Sequence, residues 1–297
     1  MTQQDLGVDE IALAAEQGRI CALAADCQRD LQKCAARYPD LFPASPFDPR
    51  FFSTVSLANA FGSPWLPADR IRIANRTSLW ISGADWLVDY LAKERDDIQA
   101  IVRGCLAVAD GAPADTPLAG FLAELRDDLR DDPASAPAFA LLEPVWRDEL
   151  ERYLSAEARE WDWKKTSAKP DTEEYLENSD NYGTSLVNVW HWIFTSSPGS
   201  LAHLDELRAA SRKVGYVLRL LNDLASAERD LAWGDINILA LGLGRADVTA
   251  RIAELMDECR TLIRPLKDTC PQEAVYLERQ LGYSTGFYGI TDYWGEL

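Results

Sequence analysis

Residues Leu220–Asp230 read LLNDLASAERD and place Asn222, Ser226 and Asp230 at steps of four. On a helix that spacing stacks three oxygen-bearing side chains on one face, one turn above the next. An amide, a hydroxyl and a carboxylate are hard donors, suited to Mg²⁺ that shares its shell between protein and substrate phosphates. A solvated polar stripe has the same spacing, so the pattern alone leaves both readings open. A second candidate lies in GADWLVDYLAKERDD, Gly83–Asp97. Asp85 and Asp89 stand one turn apart there, with Asp96 roughly on the same stripe. Trp80, Trp86, Leu87, Val88 and Leu91 surround them. Two carboxylates in such apolar company are costly to bury unless paired or metal-bound. The plain alternative is a helix edge at which Asp89 pairs with Lys93 at i+4.

The elements that must carry these residues are helical. Period-2 alternation never persists, whereas the helical period recurs throughout. Helices are predicted over Leu6–Arg37, Pro67–Arg95, Asp96–Ala109, Leu118–Leu129 and Ala138–Trp163. Further ones follow near Glu173–Asn178 and over Gly183–Thr195, Ala202–Trp233, Ile236–Leu243, Ala246–Leu266 and Gln272–Tyr288. Prolines break the chain in Tyr38–Pro49, and loops fall at Gly111–Pro117, Asp131–Pro137, Lys165–Asp171 and Ser196–Ser200. Many helices, short loops and no sheet predict an all-α bundle. No stretch resembles a linker long enough to separate domains, so residues 1–297 read as one domain.

Composition narrows the function. Apolar residues make up 47% of the 297, enough for a large core, and the formal charge is -18. That charge argues against nucleic acid, since little here could replace phosphate counterions. An anionic substrate would need a metal ion or a local basic patch. The six Cys contain no C-x-x-C pair and there are only two His, which disfavours a zinc site. Scattered Cys fit buried thiols in a reducing compartment. The polar, acidic start MTQQDLGVDE is unlike a signal peptide, and the apolar runs are short for a membrane span. A cytoplasmic location is expected.

An acidic site early in an all-α chain and an Asn/Ser/Asp site late in it resemble the class I terpene cyclases. In that family an aspartate-rich motif and an N-D-x-x-S-x-x-x-E/D motif face each other across a cavity and hold Mg²⁺ on an isoprenoid diphosphate. LLNDLASAERD matches the second motif throughout. The resemblance makes Asn222, Ser226 and Asp230 metal ligands and Arg229 the basic residue before the last of them. It makes Asp85 and Asp89 the first motif, acting as metal ligands and in catalysis. Gly183 becomes the small residue at a helix break facing the reacting carbon. The nearest likeness is to bacterial class I diterpene cyclases of the ent-kaurene synthase and terpentetriene synthase kind.

The resemblance implies a single-domain helical bundle with a central active-site cavity and three Mg²⁺ ions arriving with the diphosphate. Metal and basic groups turn the diphosphate into a leaving group, and the allylic cation left behind needs a dry cavity. Aromatic faces stabilise passing positive charge. Trp80, Trp86, Tyr182, Trp190, Tyr288 and Tyr293 are the candidates for that cavity wall. The expected function is a class I diterpene synthase converting a bicyclic copalyl-type diphosphate to a hydrocarbon or alcohol, with a separate class II cyclase supplying it. The runner-up acts directly on linear farnesyl or geranylgeranyl diphosphate; a reading of another class is a non-catalytic acidic helical scaffold. A homodimer is compatible with either.

The chain departs from the family at three places. The first motif is Asp85-Trp-Leu-Val-Asp89 rather than DDxxD. The family's diphosphate-sensing arginine follows a Tyr-Leu pair, but Tyr175-Leu176 is followed here by Glu177, Asn178 and Ser179. The family's C-terminal Arg-Tyr pair is Asp292-Tyr293. Lys164, Lys165, Lys169 and Arg229 are the cations available to compensate.

Overall fold

The computed structural model describes residues 9–166 and 169–294. The predicted start of the first helix at Leu6 and two residues of the Lys165–Asp171 turn lie outside the described residues. Among the described residues every regular element is helical. Asp9 accepts from the backbone N–H of Ile11 and Ala12 and starts α1 (Glu10–Ala35).

No element was expected over residues 50–66, yet α2 (Pro49–Gly62) forms there. Asp48 Oδ1 accepts from the Phe51 N–H at 2.8 Å and Pro49 occupies the first helical turn. The last proline of the break therefore begins a helix, because its missing N–H is an orphan at that position anyway. The predicted Pro67–Arg95 helix ends earlier. It is α3 (Ala68–Trp86), followed by a π-helical turn at Leu87–Leu91. A new helix, α4 (Arg95–Ala109), begins after Ala92 turns extended. Asp96 therefore leaves the stripe of Asp85 and Asp89 and is exposed on α4, while Asp97 accepts from the N–H groups of Lys93 and Glu94.

Thr116 caps α5 (Pro117–Asp131), and α6 (Ala136–Lys165) and α7 (Thr172–Glu177) follow. Then come α8 (Thr184–Thr195), the short α9 (Pro198–Leu201) and α10 (Leu204–Trp233). Gly234, at φ 76°, ends α10, and α11 (Arg245–Thr269) and α12 (Pro271–Tyr288) complete the bundle. The predicted Ile236–Leu243 helix shrinks to a 3-10 turn at Ile238–Leu241.

The central element is α8. Every residue from Thr184 to Phe194 is buried, with α3, α6 and α10 packed around it. A helix apolar all round must be wrapped in this way. Trp146 and Trp190 stack with centroids 4.8 Å apart, and the Trp190 indole donates to the Trp146 carbonyl at 3.1 Å. The Trp80 indole donates to the Leu118 carbonyl at 3.0 Å. The Trp80 and Trp190 rings, buried with their N–H groups satisfied, tie α3 to α5 and α8 to α6. The start of α8 is thereby held against the motif-bearing parts of α3 and α10. Among the described residues, no helix is long and apolar enough to cross a membrane.

Candidate active site

A cavity of about 270 Å³ opens beside the start of α8. Asp85 and Asp89 line it from α3 and the π turn, and Asn222 and Asp230 line it from α10. The two motifs therefore share one chamber. Ser226 is buried beside it without lining it; its hydroxyl lies 2.6 Å from Asp230 Oδ2 and 2.9 Å from the Asn222 carbonyl. Asn237 also donates to Asp230 Oδ2, at 2.8 Å. Burial raises the Asp230 pKa, and the hydrogen bonds from Ser226 and Asn237 oppose the rise. Leu220 is buried, and Leu221 and Leu224 pack on the main core.

The first motif is more crowded. The alternative pairing of Asp89 with Lys93 does not form; the Lys164 ammonium at the end of α6 takes Asp89 at 2.8 Å and also pairs with Asp235. The π turn re-aims Asp89 toward α6, away from the i+4 position. Burial, then the charges of Asp89 and Asp235, push the Asp85 carboxyl well above its ordinary range, against Lys164. Burial pushes Asp89 up to about 6, also against Lys164. Behind them Glu157 of α6 is 4% exposed and its Oε1 has no hydrogen-bond partner. Burial, then Asp85 and Asp89, raise its pKa well above the usual range.

Sequence reasoning missed a buried network beside the second motif. Arg219, one turn before Asn222, lines the cavity and is 4% exposed. Its guanidinium donates to Glu160 at 2.5 Å, to the Asn178 carbonyl at 3.4 Å and to Asn181 Oδ1. It also lies 3.8 Å over the Tyr175 ring. The Tyr175 hydroxyl donates to Asp223 at 2.9 Å. Burial raises Asp223 to about 7, against the pull of Arg219 and Tyr175. Thus the segment after Tyr175-Leu176 has no arginine of its own, but α10 places one against it. Asp223 follows Asn222 within the quoted motif and Arg219 stands just before it, and the signal available was an ionisable residue inside a leucine-rich helix.

Gly183 sits at the helix break as expected. It adopts φ 76° at the start of α8 and lines the cavity. A Cβ there would run into Ile81 Cδ1. Gly183→Ala is expected to cost about 2–4 kcal/mol, from left-handed strain plus overpacking. Thermal unfolding checks this; an unchanged melting temperature contradicts it.

The C-terminal segment closes one side. Asp292 pairs with Arg229 at 2.5 Å, Tyr293 and Trp294 line the cavity, and Trp294 stacks on Phe51 at 5.4 Å. Where the resemblance leads one to expect a cation, Asp292 supplies an anion and Arg229 is its partner. Arg229 also lines the cavity.

Three aromatic expectations need correction. Trp80 and Trp190 are fully buried in the core, and Trp86 stacks on Tyr90 at 4.7 Å; none lines the cavity. Their rings fill inter-helix space, as large apolar side chains usually do. Tyr182, Tyr288 and Tyr293 do line it, with the Tyr182 and Tyr288 hydroxyls hydrogen-bonded to each other, and Tyr90 joins them. Among the other basic candidates, Lys165 lies 5.3 Å from the Trp161 ring and Lys169 is exposed.

The chamber fits divalent cations by the chemistry of its donors. Among the described residues Asp85, Asp89, Glu160, Asp223, Asp230 and Asp235 line it together with Arg219 and Arg229. Among the described residues no three His, Cys, Asp or Glu side chains form a closed metal cluster. Carboxylates spread over two walls, with an amide and a hydroxyl, suit an oxygen-seeking ion that completes its shell with water and substrate oxygens.

Residues 84–261 match the family model described as terpene synthase family 2, C-terminal metal binding. The chain belongs to this family; it is a class I terpene synthase, a lyase of isoprenoid diphosphates. Ent-pimara-9(11),15-diene synthase of Streptomyces sp. (strain KO-3988) is 26% identical to it over 278 residues, covering 90% of each chain. Among solved structures, 2-methylisoborneol synthase from Streptomyces coelicolor A3(2), in complex with Mg²⁺ and 2-fluoroneryl diphosphate, superposes with a TM-score of 0.71 at 15% identity. That match covers 90% of each chain. Isoprene synthase from grey poplar leaves, with three Mg²⁺ ions and dimethylallyl-S-thiolodiphosphate, gives 0.67 at 17% identity over 91% of this chain and 55% of its own. The scaffold reading is thereby set aside.

Proposed function

We propose that this chain is a Mg²⁺-dependent class I diterpene synthase acting on a bicyclic copalyl-type diphosphate made by a separate class II cyclase. The likeness over nine-tenths of both chains to a synthase named for a pimaradiene, a C20 tricycle, carries the choice of substrate. Packing around one large core supports reading residues 1–297 as one catalytic domain.

Asp85 and Asp89 on one wall, Asn222 and Asp230 on the other, and Ser226 just behind Asp230, are the residues assigned to hold Mg²⁺. The bound ions would supply charge neutralisation to the departing diphosphate. Arg219 and Arg229 are the cations placed to meet the same oxygens. Arg219 is anchored by Glu160 and so keeps its position before substrate arrives, as preorganised stabilisation requires. Gly183 lets the backbone approach the reacting carbon where any side chain would strike Ile81. Tyr90, Tyr182, Tyr288, Tyr293 and Trp294 offer ring faces to the cation formed when the C–O bond breaks. The packed start of α8 and the C-terminal segment would shield that cation from water on two sides.

Asp85→Asn and Asp89→Asn are expected to lower turnover unequally. Asp89 also anchors Lys164, so its loss disturbs two contacts, whereas Asp85 faces mainly like charges. Steady-state kinetics with varied Mg²⁺ checks this, and silence of both variants removes the first motif from the site. The substrate is tested by incubating the protein and Mg²⁺ with geranyl, farnesyl, geranylgeranyl and both enantiomers of copalyl diphosphate, then analysing extracts by gas chromatography with mass detection. A product from one copalyl enantiomer alone is expected. A product from a linear diphosphate instead moves the assignment to direct cyclisation.

A further inference from the structure

One stripe of α6 presents Glu157, Glu160 and Lys164 toward the two motifs, at spacings of three and four residues. Lys164 ends that stripe between two carboxylates from different parts of the chain. Its ammonium donates to Asp89 at 2.8 Å and pairs with Asp235, and its side chain is 12% exposed. Asp89 belongs to the π turn after α3, and Asp235 to the loop just beyond α10. One cation thus ties together the ends of both motif-bearing helices.

We propose that Lys164 is an internal counter-ion that couples metal entry to diphosphate entry. A divalent ion at Asp89 meets a fixed like charge within a few ångströms, and in a half-buried setting that repulsion is weakly screened. Metal alone therefore binds poorly. A diphosphate offers the ammonium new oxygens, releases Asp89 to the metal and brings its own charge to both. By linkage, each ligand then strengthens the other equally. This rests on the reading of Asp85 and Asp89 as cation ligands.

The test is binding, without turnover. Free Mn²⁺ is measured by electron paramagnetic resonance in titrations of wild type, Lys164→Gln and Lys164→Met, each with and without inorganic pyrophosphate. Lys164→Met keeps an apolar stem in the same packing and serves should the Gln variant fail to fold. Both variants are expected to bind Mn²⁺ alone about tenfold more tightly than wild type, from removal of one like charge. The gain in Mn²⁺ affinity caused by pyrophosphate should shrink by about the same factor. Folded variants whose Mn²⁺ affinity is unchanged or weaker overturn the role of Lys164 while leaving the metal site standing. A wild type that binds no Mn²⁺ even with pyrophosphate overturns the site reading and this proposal with it.

Discussion

Asp230→Ala is expected to lower Mg²⁺-dependent turnover by about 10³-fold, the scale of losing a principal electrostatic stabiliser of a departing anion. The side chain lies at the meeting point of the second motif. It takes the Ser226 hydroxyl at 2.6 Å and the Asn237 amide at 2.8 Å, and it borders Arg229. The fold should survive. Asn237 keeps a second acceptor, the Asp223 carbonyl at 2.9 Å, and the Ser226 hydroxyl keeps the Asn222 carbonyl. The loss of stability is then about 1–3 kcal/mol, the usual penalty for weakening a buried polar contact. Circular dichroism and thermal unfolding separate the two effects. Wild-type turnover in a folded variant contradicts the assignment of the second motif.

Arg219→Gln should be costly in both respects. The guanidinium is buried, paired with Glu160 and laid over Tyr175, so removing it leaves a carboxylate with no cation in direct contact. Breaking one half of a buried pair costs about 3–5 kcal/mol. Turnover of the fraction that folds should fall by about 10²–10³, since Gln brings no charge to the diphosphate. Arg219→Lys separates stability from chemistry. It restores the charge but not the planar fork that reaches Glu160, Asn181 and Asn178 together. Stability should partly recover, while turnover remains well below wild type. Full activity in Arg219→Gln, measured below its unfolding temperature, removes Arg219 from the site.

The helical architecture and the second motif were legible in the sequence because both rest on local spacing. Apolar residues at helical period declare a buried face, and Asn222, Ser226 and Asp230 share a face by arithmetic. Elements whose cause is a cap were harder. Asp48-Pro49 reads as one more proline break until its side chain is seen to start α2. The π turn at Leu87–Leu91 was invisible for a related reason: one extra residue per turn leaves composition unchanged but redirects Asp89 from Lys93 to Lys164. What lay furthest from reach was contact between distant segments. Nothing local says that Arg219 packs against Asn178 and Asn181, that Asp292 meets Arg229, or that Trp80 and Trp190 fill the core while Tyr90 and Trp294 face the cavity. An aromatic residue beside a motif in sequence is a poor guide, because a helix turns successive side chains about 100° apart.

Two motifs more than a hundred residues apart are expected to hold the same ions. A crystal grown with Mn²⁺ and inorganic pyrophosphate, with metal positions taken from anomalous scattering, tests this most directly. The expected map shows ions bridging pyrophosphate to carboxylate oxygens of Asp85 or Asp89 on one wall, and to Asn222, Ser226 and Asp230 on the other. Ions found only in the outer acidic groove at Asp127, Asp128, Asp131 and Asp132, with the central cavity empty of both metal and pyrophosphate, would contradict it.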